Sequence, residues 1–108
     1  MSSKEIFSNF ANTDLIELKY NISPWDTTES SLILINHDRH GGFKKFTFRG
    51  VSNLRIDEDF SGYLGGTVIV DISDRQWAHA AIEVQNFESG SGLYFLAMTV
   101  DISDLPNL

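Results

Sequence analysis

The chain has no cysteine, which rules out a disulfide framework, a thiolate metal site and a cysteine nucleophile. Long apolar runs are missing too. The aliphatic run Leu32-Ile33-Leu34-Ile35 falls far short of the roughly 20 residues a membrane helix needs. The first ten residues, MSSKEIFSNF, lack the apolar centre and small-residue cleavage site of a secretory signal. With no cysteine and no leader pattern, a cytoplasmic location is expected. Basic residues are scarce, 8 against 15 acids, for a net charge of −7. A generic nucleic-acid binder needs a positive surface, so no nucleic-acid partner is expected.

The 108 residues fit one domain, residues 1–108. Hydrophobic residues make up 42% and aromatics 12%, enough for a core at this length. The charge is uneven. Residues 37–55 carry a balance of +4, residues 56–108 of −8, and residues 1–36 of −3. Such an acidic half solvates a surface, and it also suits capture of a basic partner.

Alternation with period two dominates the chain. Residues 14–22 place Ile16, Leu18, Tyr20 and Ile22 on one parity and Glu17, Lys19 and Asn21 on the other, a half-buried strand. Residues 32–35 are apolar on both parities and read as a central strand covered on both faces. Residues 36–42, NHDRHGG, read as a hairpin turn leading into the strand region 43–56, whose organising stretch is 46–56. There Phe46, Phe48, Leu54 and Ile56 share one face, Lys45, Arg49 and Arg55 the other, and Gly50 marks a bend. Residues 68–72, 80–87 and 93–102 complete six strands. Ser2 and Glu5 fit a capping box ahead of Ile6, Phe7, Phe10 and Ala11, which predicts a short helix over 3–11. Ser73 and Gln76 fit one helical turn. The expected fold is mainly β: about six antiparallel strands in a twisted sheet, open barrel or small sandwich, with one short N-terminal helix. The segment Val-Asp-Ile-Ser-Asp occurs twice, at 70–74 and 100–104, and reads as two strands ending with the same cap chemistry.

No motif selects a reaction. His37 and His40 give H-x-x-H without a third ligand, no serine sits in G-x-S-x-G, and Gly62, Gly65 and Gly66 precede a strand with no lysine. The acids lack a calcium-loop spacing. Neither a metal, a cofactor nor an enzymatic activity is expected. Lys45, Arg49 and Arg55 are expected to face acids on neighbouring strands, with Glu17 and Glu83 the candidates by parity. Trp25 and Trp77 lie outside the strong strands, and an exposed tryptophan would be the first candidate for a binding hot spot.

The segments FRGVSNL (48–54), IEVQN (82–86) and LYFLA (93–97), with acid-capped strands between them, resemble small bacterial β-rich domains, some of which are immunity proteins of toxin systems. That resemblance implies a compact, non-catalytic, acidic inhibitor of a cognate toxin. The expected function is therefore a non-enzymatic protein-binding domain, with Asp57, Glu58, Asp59, Asp71 and Asp74 as partner-binding acids and Tyr63 and Trp77 as anchors. The alternatives are a β-barrel binding a small ligand or metal, and a homo-oligomeric subunit joined through the edge of residues 14–22.

Overall fold

The computed structural model describes residues 4–7, 10–38, 41–76, 80–86 and 92–105. Nine strands lie within them: β1 (Lys4–Phe7), β2 (Thr13–Asn21), β3 (Ser31–Asp38), β4 (Gly42–Arg49), β5 (Ser52–Ile56), β6 (Thr67–Asp71), β7 (Ile82–Asn86), β8 (Leu93–Ala97) and β9 (Thr99–Leu105). Short 3-10 turns occupy Thr27–Glu29 and Ser73–Arg75. The strands form two sheets, one in the order β1-β6-β7-β8-β5 and one in the order β2-β3-β4-β9. Every pairing between the described strands is antiparallel, and the short connections of β2–β3, β3–β4, β6–β7 and β7–β8 allow no other sense.

One core joins the sheets. Leu32, Leu34, Phe46 and Phe48 come from the four-stranded sheet, and Ile69, Val84, Leu93 and Phe95 from the other. The Phe48 and Phe95 rings meet edge to face with centroids 4.7 Å apart, so the layers touch directly. Of the expected shapes, this is the sandwich.

Two long strands of the sequence reading are each two strands. Residues 46–56 break into β4 and β5, and residues 93–102 into β8 and β9, with the halves in opposite sheets. Both breaks fall at one corner. The Met98 amide donates to the Arg49 carbonyl (2.9 Å), and the Gly50 amide to the Ser30 carbonyl (2.7 Å). Gly50 has φ +68°, and a Cβ there would lie 2.6 Å from the Met98 side chain. Glycine is required on both counts, by the left-handed backbone and by the close approach. The Gly50 bend of the sequence is thus a switch between sheets.

Within the predicted N-terminal helix of residues 3–11, Lys4–Phe7 form a strand, and residues 3, 8 and 9 lie outside the described residues. Lys4 and Glu5 pair with Asp71 and Val70, and Phe7 with Ile69. The open edge of β6 supplies a hydrogen-bonding ladder that a nine-residue helix in water does not match. Its capping Ser2 lies outside the described residues. Phe7 packs edge to face on Phe10 and Phe46, so the aromatics meant for a helix face enter the core from an extended chain. Residues 32–35 are covered less evenly than expected. Leu32 and Leu34 are buried, while Ile33 and Ile35 face outward and are half-buried.

Candidate functional site

Three polar or exposed features stand out, the first set by a loop and the other two by strand parity. The first is the loop after β2. Trp25 is 91% exposed there, the most exposed large hydrophobic among the described residues, with Ile22 also exposed nearby. The loop is held by its own bonds. The Ser23 amide donates to Ser30 Oγ (3.3 Å), the Thr28 amide to Asp26 Oδ1 (2.9 Å), and the Glu29 amide to the Asp26 carbonyl (3.0 Å). Bonds from the Thr28 hydroxyl and amide hold the Asp26 carboxyl below its ordinary pKa. Trp25 therefore projects from a pinned loop.

The second feature lies on the outer face of the five-stranded sheet. Successive residues of β7 and β8 alternate, so Val84 and Phe95 point inward while Glu83 and Tyr94 point outward. The Tyr94 hydroxyl donates to Glu83 Oε2 (2.9 Å), Arg75 Nη1 lies 3.7 Å from Glu83 Oε1, and the Arg55 guanidinium sits 4.9 Å from the Tyr94 ring centroid. Burial pushes the Tyr94 phenol up, the Glu83 bond adds to it, and the two arginines oppose it. Expected charge pairings are redrawn here. Glu83 meets Arg75, and Arg55 reaches it only through Tyr94. On the other sheet Arg49 pairs with Asp101 (2.8 Å) and Lys44 with Asp104, both acids being on β9.

The third feature is the mouth between the sheets at the β2 start. Leu32, Leu34 and Asn36 share the inward parity of β3, as do Phe48, Phe46 and Lys44 on β4. The inner face therefore changes from apolar to polar toward this end. A cavity of about 240 Å³ opens there, lined by Thr13, Asn36, Asp38, Lys44 and Asp104, with Phe7, Gly42 and Phe43 completing it. Asn36 is 3% exposed, and its Oδ1 is buried with no hydrogen-bond partner. Such an acceptor costs roughly 1–3 kcal/mol.

The acids singled out from sequence are distributed over the molecule. Asp57 Oδ2 accepts the Gly92 amide (2.8 Å), and the Asp57 amide donates back to the Gly92 carbonyl (3.0 Å), a clasp between the β5 end and the β8 start. Glu58 and Asp59 follow it on an exposed turn. Asp71 Oδ1 accepts the Ser73 amide (2.8 Å) at the end of β6, and half-buried Asp74 follows. Asp71 pairs with Ile82, which pairs with Ala97 at the far end of β8 from Leu93. Asp57–Asp59 and Asp71–Asp74 thus sit at opposite ends of the sheet. Half-exposed Tyr63 bridges to Asp14 on β2. Trp77 and His40 lie outside the described residues. Among the described residues, no group of three or more His, Asp or Glu could hold a metal ion, and no helix is long and apolar enough to cross a membrane.

No protein-family model, curated protein or solved structure matches the chain.

Proposed function

We propose that the chain is a non-enzymatic protein-binding domain whose partner is basic. The observation that carries this is Trp25, held 91% exposed on a hydrogen-bonded loop. Exposing an indole is unfavourable, and a loop already held by its own hydrogen bonds loses little backbone entropy when its indole docks. Tryptophan is also over-represented among the residues that dominate interface energies. The net charge of −7 and the exposed turn of Glu58 and Asp59 favour encounter with a positive surface. The narrower reading, an immunity-type inhibitor of a bacterial toxin, rests on the sequence resemblance together with this acidity.

The test is affinity capture at low salt from the cells that make the protein, followed by titration calorimetry with the captured protein. Trp25→Ala is expected to weaken binding by about 2 kcal/mol or more, roughly thirtyfold. A double Glu58→Gln, Asp59→Asn variant is expected to slow association and flatten its salt dependence. Equal affinity for the Trp25→Ala variant would remove the proposal.

A further inference from the structure

We infer that two copies of this chain exchange β9, each copy's strand completing the four-stranded sheet of the other. The inference goes beyond the Trp25 reading and does not depend on it, because the exchange leaves the loop between β2 and β3 in place.

The two corners that carry the chain between sheets are built differently. The β4–β5 corner is fixed by Gly50, whose φ is +68°. The β8–β9 corner is Met98 alone, the single residue between Ala97 and Thr99. Met98 is not among the residues of positive φ, and no glycine or proline interrupts residues 93–105. The β-branched Thr99 and Val100 follow the corner directly. The local preference of this stretch is therefore one straight strand, the form in which residues 93–102 read in sequence. Tertiary contacts bend it, chiefly the bond from the Met98 amide to the Arg49 carbonyl (2.9 Å). A short link bent against its local preference invites exchange of the element beyond it.

β9 is suited to be that element. It is a terminal strand of its sheet, and β4 is its ladder partner. Thr99, Asp101, Ile102, Ser103 and Asp104 are exposed, while Val100 packs on the core. On leaving, β9 gives up its ladder with β4 and the pairs Arg49–Asp101 and Lys44–Asp104. The β9 of a second copy restores all of these in the same register, because the two strands are identical. With Met98 extended, the seven residues of β9 reach about 23 Å past the corner at roughly 3.3 Å per residue, enough to lie along residues 43–49 of the second copy. The exchange is reciprocal, so the assembly closes as a two-fold dimer.

The test uses the whole chain carrying Lys45→Cys together with Ser103→Cys. These positions face each other across β4 and β9, and the chain has no cysteine of its own. The protein is concentrated to millimolar, warmed toward its melting temperature, cooled, and separated by size-exclusion chromatography with light scattering. Monomer and dimer fractions are expected, the dimer persisting on dilution because its return requires β9 to detach. Each fraction is then oxidised and run on a denaturing, non-reducing gel. The dimer is expected to give a covalent two-chain band, since each disulfide joins position 45 of one copy to position 103 of the other. The monomer is expected to give a one-chain band. Met98→Gly, in the chain without cysteines, weakens the preference for a straight strand and is expected to lower the dimer fraction about threefold or more. If the cysteine pair does not fold, Thr47→Cys with Asp101→Cys poses the same question one step along the ladder. Monomer alone at every concentration, a dimer whose oxidised chains run singly, or a dimer fraction unmoved by Met98→Gly would overturn the inference.

Discussion

Residues 70–74 and 100–104 share the sequence Val-Asp-Ile-Ser-Asp and fold differently. In the first copy the ladder of β6 ends where β7 begins, at Asp71 opposite Ile82. Asp71 turns back to accept the Ser73 amide, Arg75 and Gln76 close a 3-10 turn, and Ile72 is fully buried with Val68, Val70, Ala80 and Leu96 on the outer face of the five-stranded sheet. In the second copy β4 keeps offering partners. Val100 to Asp104 pair in unbroken register with Phe48 to Lys44, Ile102 is 37% exposed, and Asp101 and Asp104 meet Arg49 and Lys44. The local preference is the same in both. The neighbouring strand decides whether Asp acts as a turn cap or as an edge-strand charge.

The largest expected difference between the copies is at their isoleucines. Ile72→Ala removes a fully buried side chain and is expected to cost about 2–5 kcal/mol, whereas Ile102→Ala on exposed β9 should cost under about 1 kcal/mol. Urea denaturation of both variants measures this, and equal losses would erase the distinction. The aspartates come next. Asp71→Ala removes the acceptor of the Ser73 amide and is expected to cost about 1 kcal/mol, in line with a lost cap. Asp101→Ala removes an exposed pair with Arg49 and is expected to cost about 0.2–1 kcal/mol, shrinking in high salt. A salt-independent loss at Asp101 would show that its role on β9 is not electrostatic.

These copies also show which parts of the molecule could be read from the sequence. Alternation locates β7 with Ile82 and Val84 inward, because period two is a local property. It finds the span of β2 but not its faces: a bulge between Leu15 and Glu17 turns Leu15 to the core, and Ile16 and Ile22, expected beside Leu18 and Tyr20 on the buried face, are exposed. It also places Phe46 and Phe48 in the core, where both are buried. It does not reveal that residues 46–56 and 93–102 change sheets, since parity runs on across Gly50 and Met98 while the partner changes. The capping box near the N-terminus is a genuine local signal, overridden by the open edge of β6. The candidate sites follow the same division. Trp25 stands out by type, but its exposure depends on the bonds of its loop. Asn36 reads as part of a turn by composition, although it continues the inward parity of Leu32 and Leu34, and that continuation is the signal the sequence offers. The cavity beside it needs five strands to be placed, which no local pattern encodes.

The smallest effect expected at neutral pH concerns the ion pairs that each copy helps to place. The first leads directly into Arg75, beside the nearly buried Glu83 that accepts the Tyr94 hydroxyl. The second supplies the exposed Asp101 to Arg49. Tyr94 has its pKa raised in the folded protein, chiefly by burial. Stability from a raised group is fully present below its unfolded pKa, near 10 for tyrosine, and is lost as pH rises through the folded value. The wild-type protein should therefore lose stability through alkaline pH above about 10, and Tyr94→Phe should flatten that limb without altering the neutral plateau's pH dependence. Glu83→Gln should flatten it in part, because it removes the negative charge beside the phenolate and leaves burial in place. Asp101→Asn should leave the alkaline limb as it is. Melting temperatures between pH 7 and about pH 11 test all three. A limb unchanged in Tyr94→Phe would assign the alkaline loss to other groups. A limb altered as much by Asp101→Asn would mean that both pairs respond only to net charge, and the contrast between the sheltered pair and the exposed one would disappear.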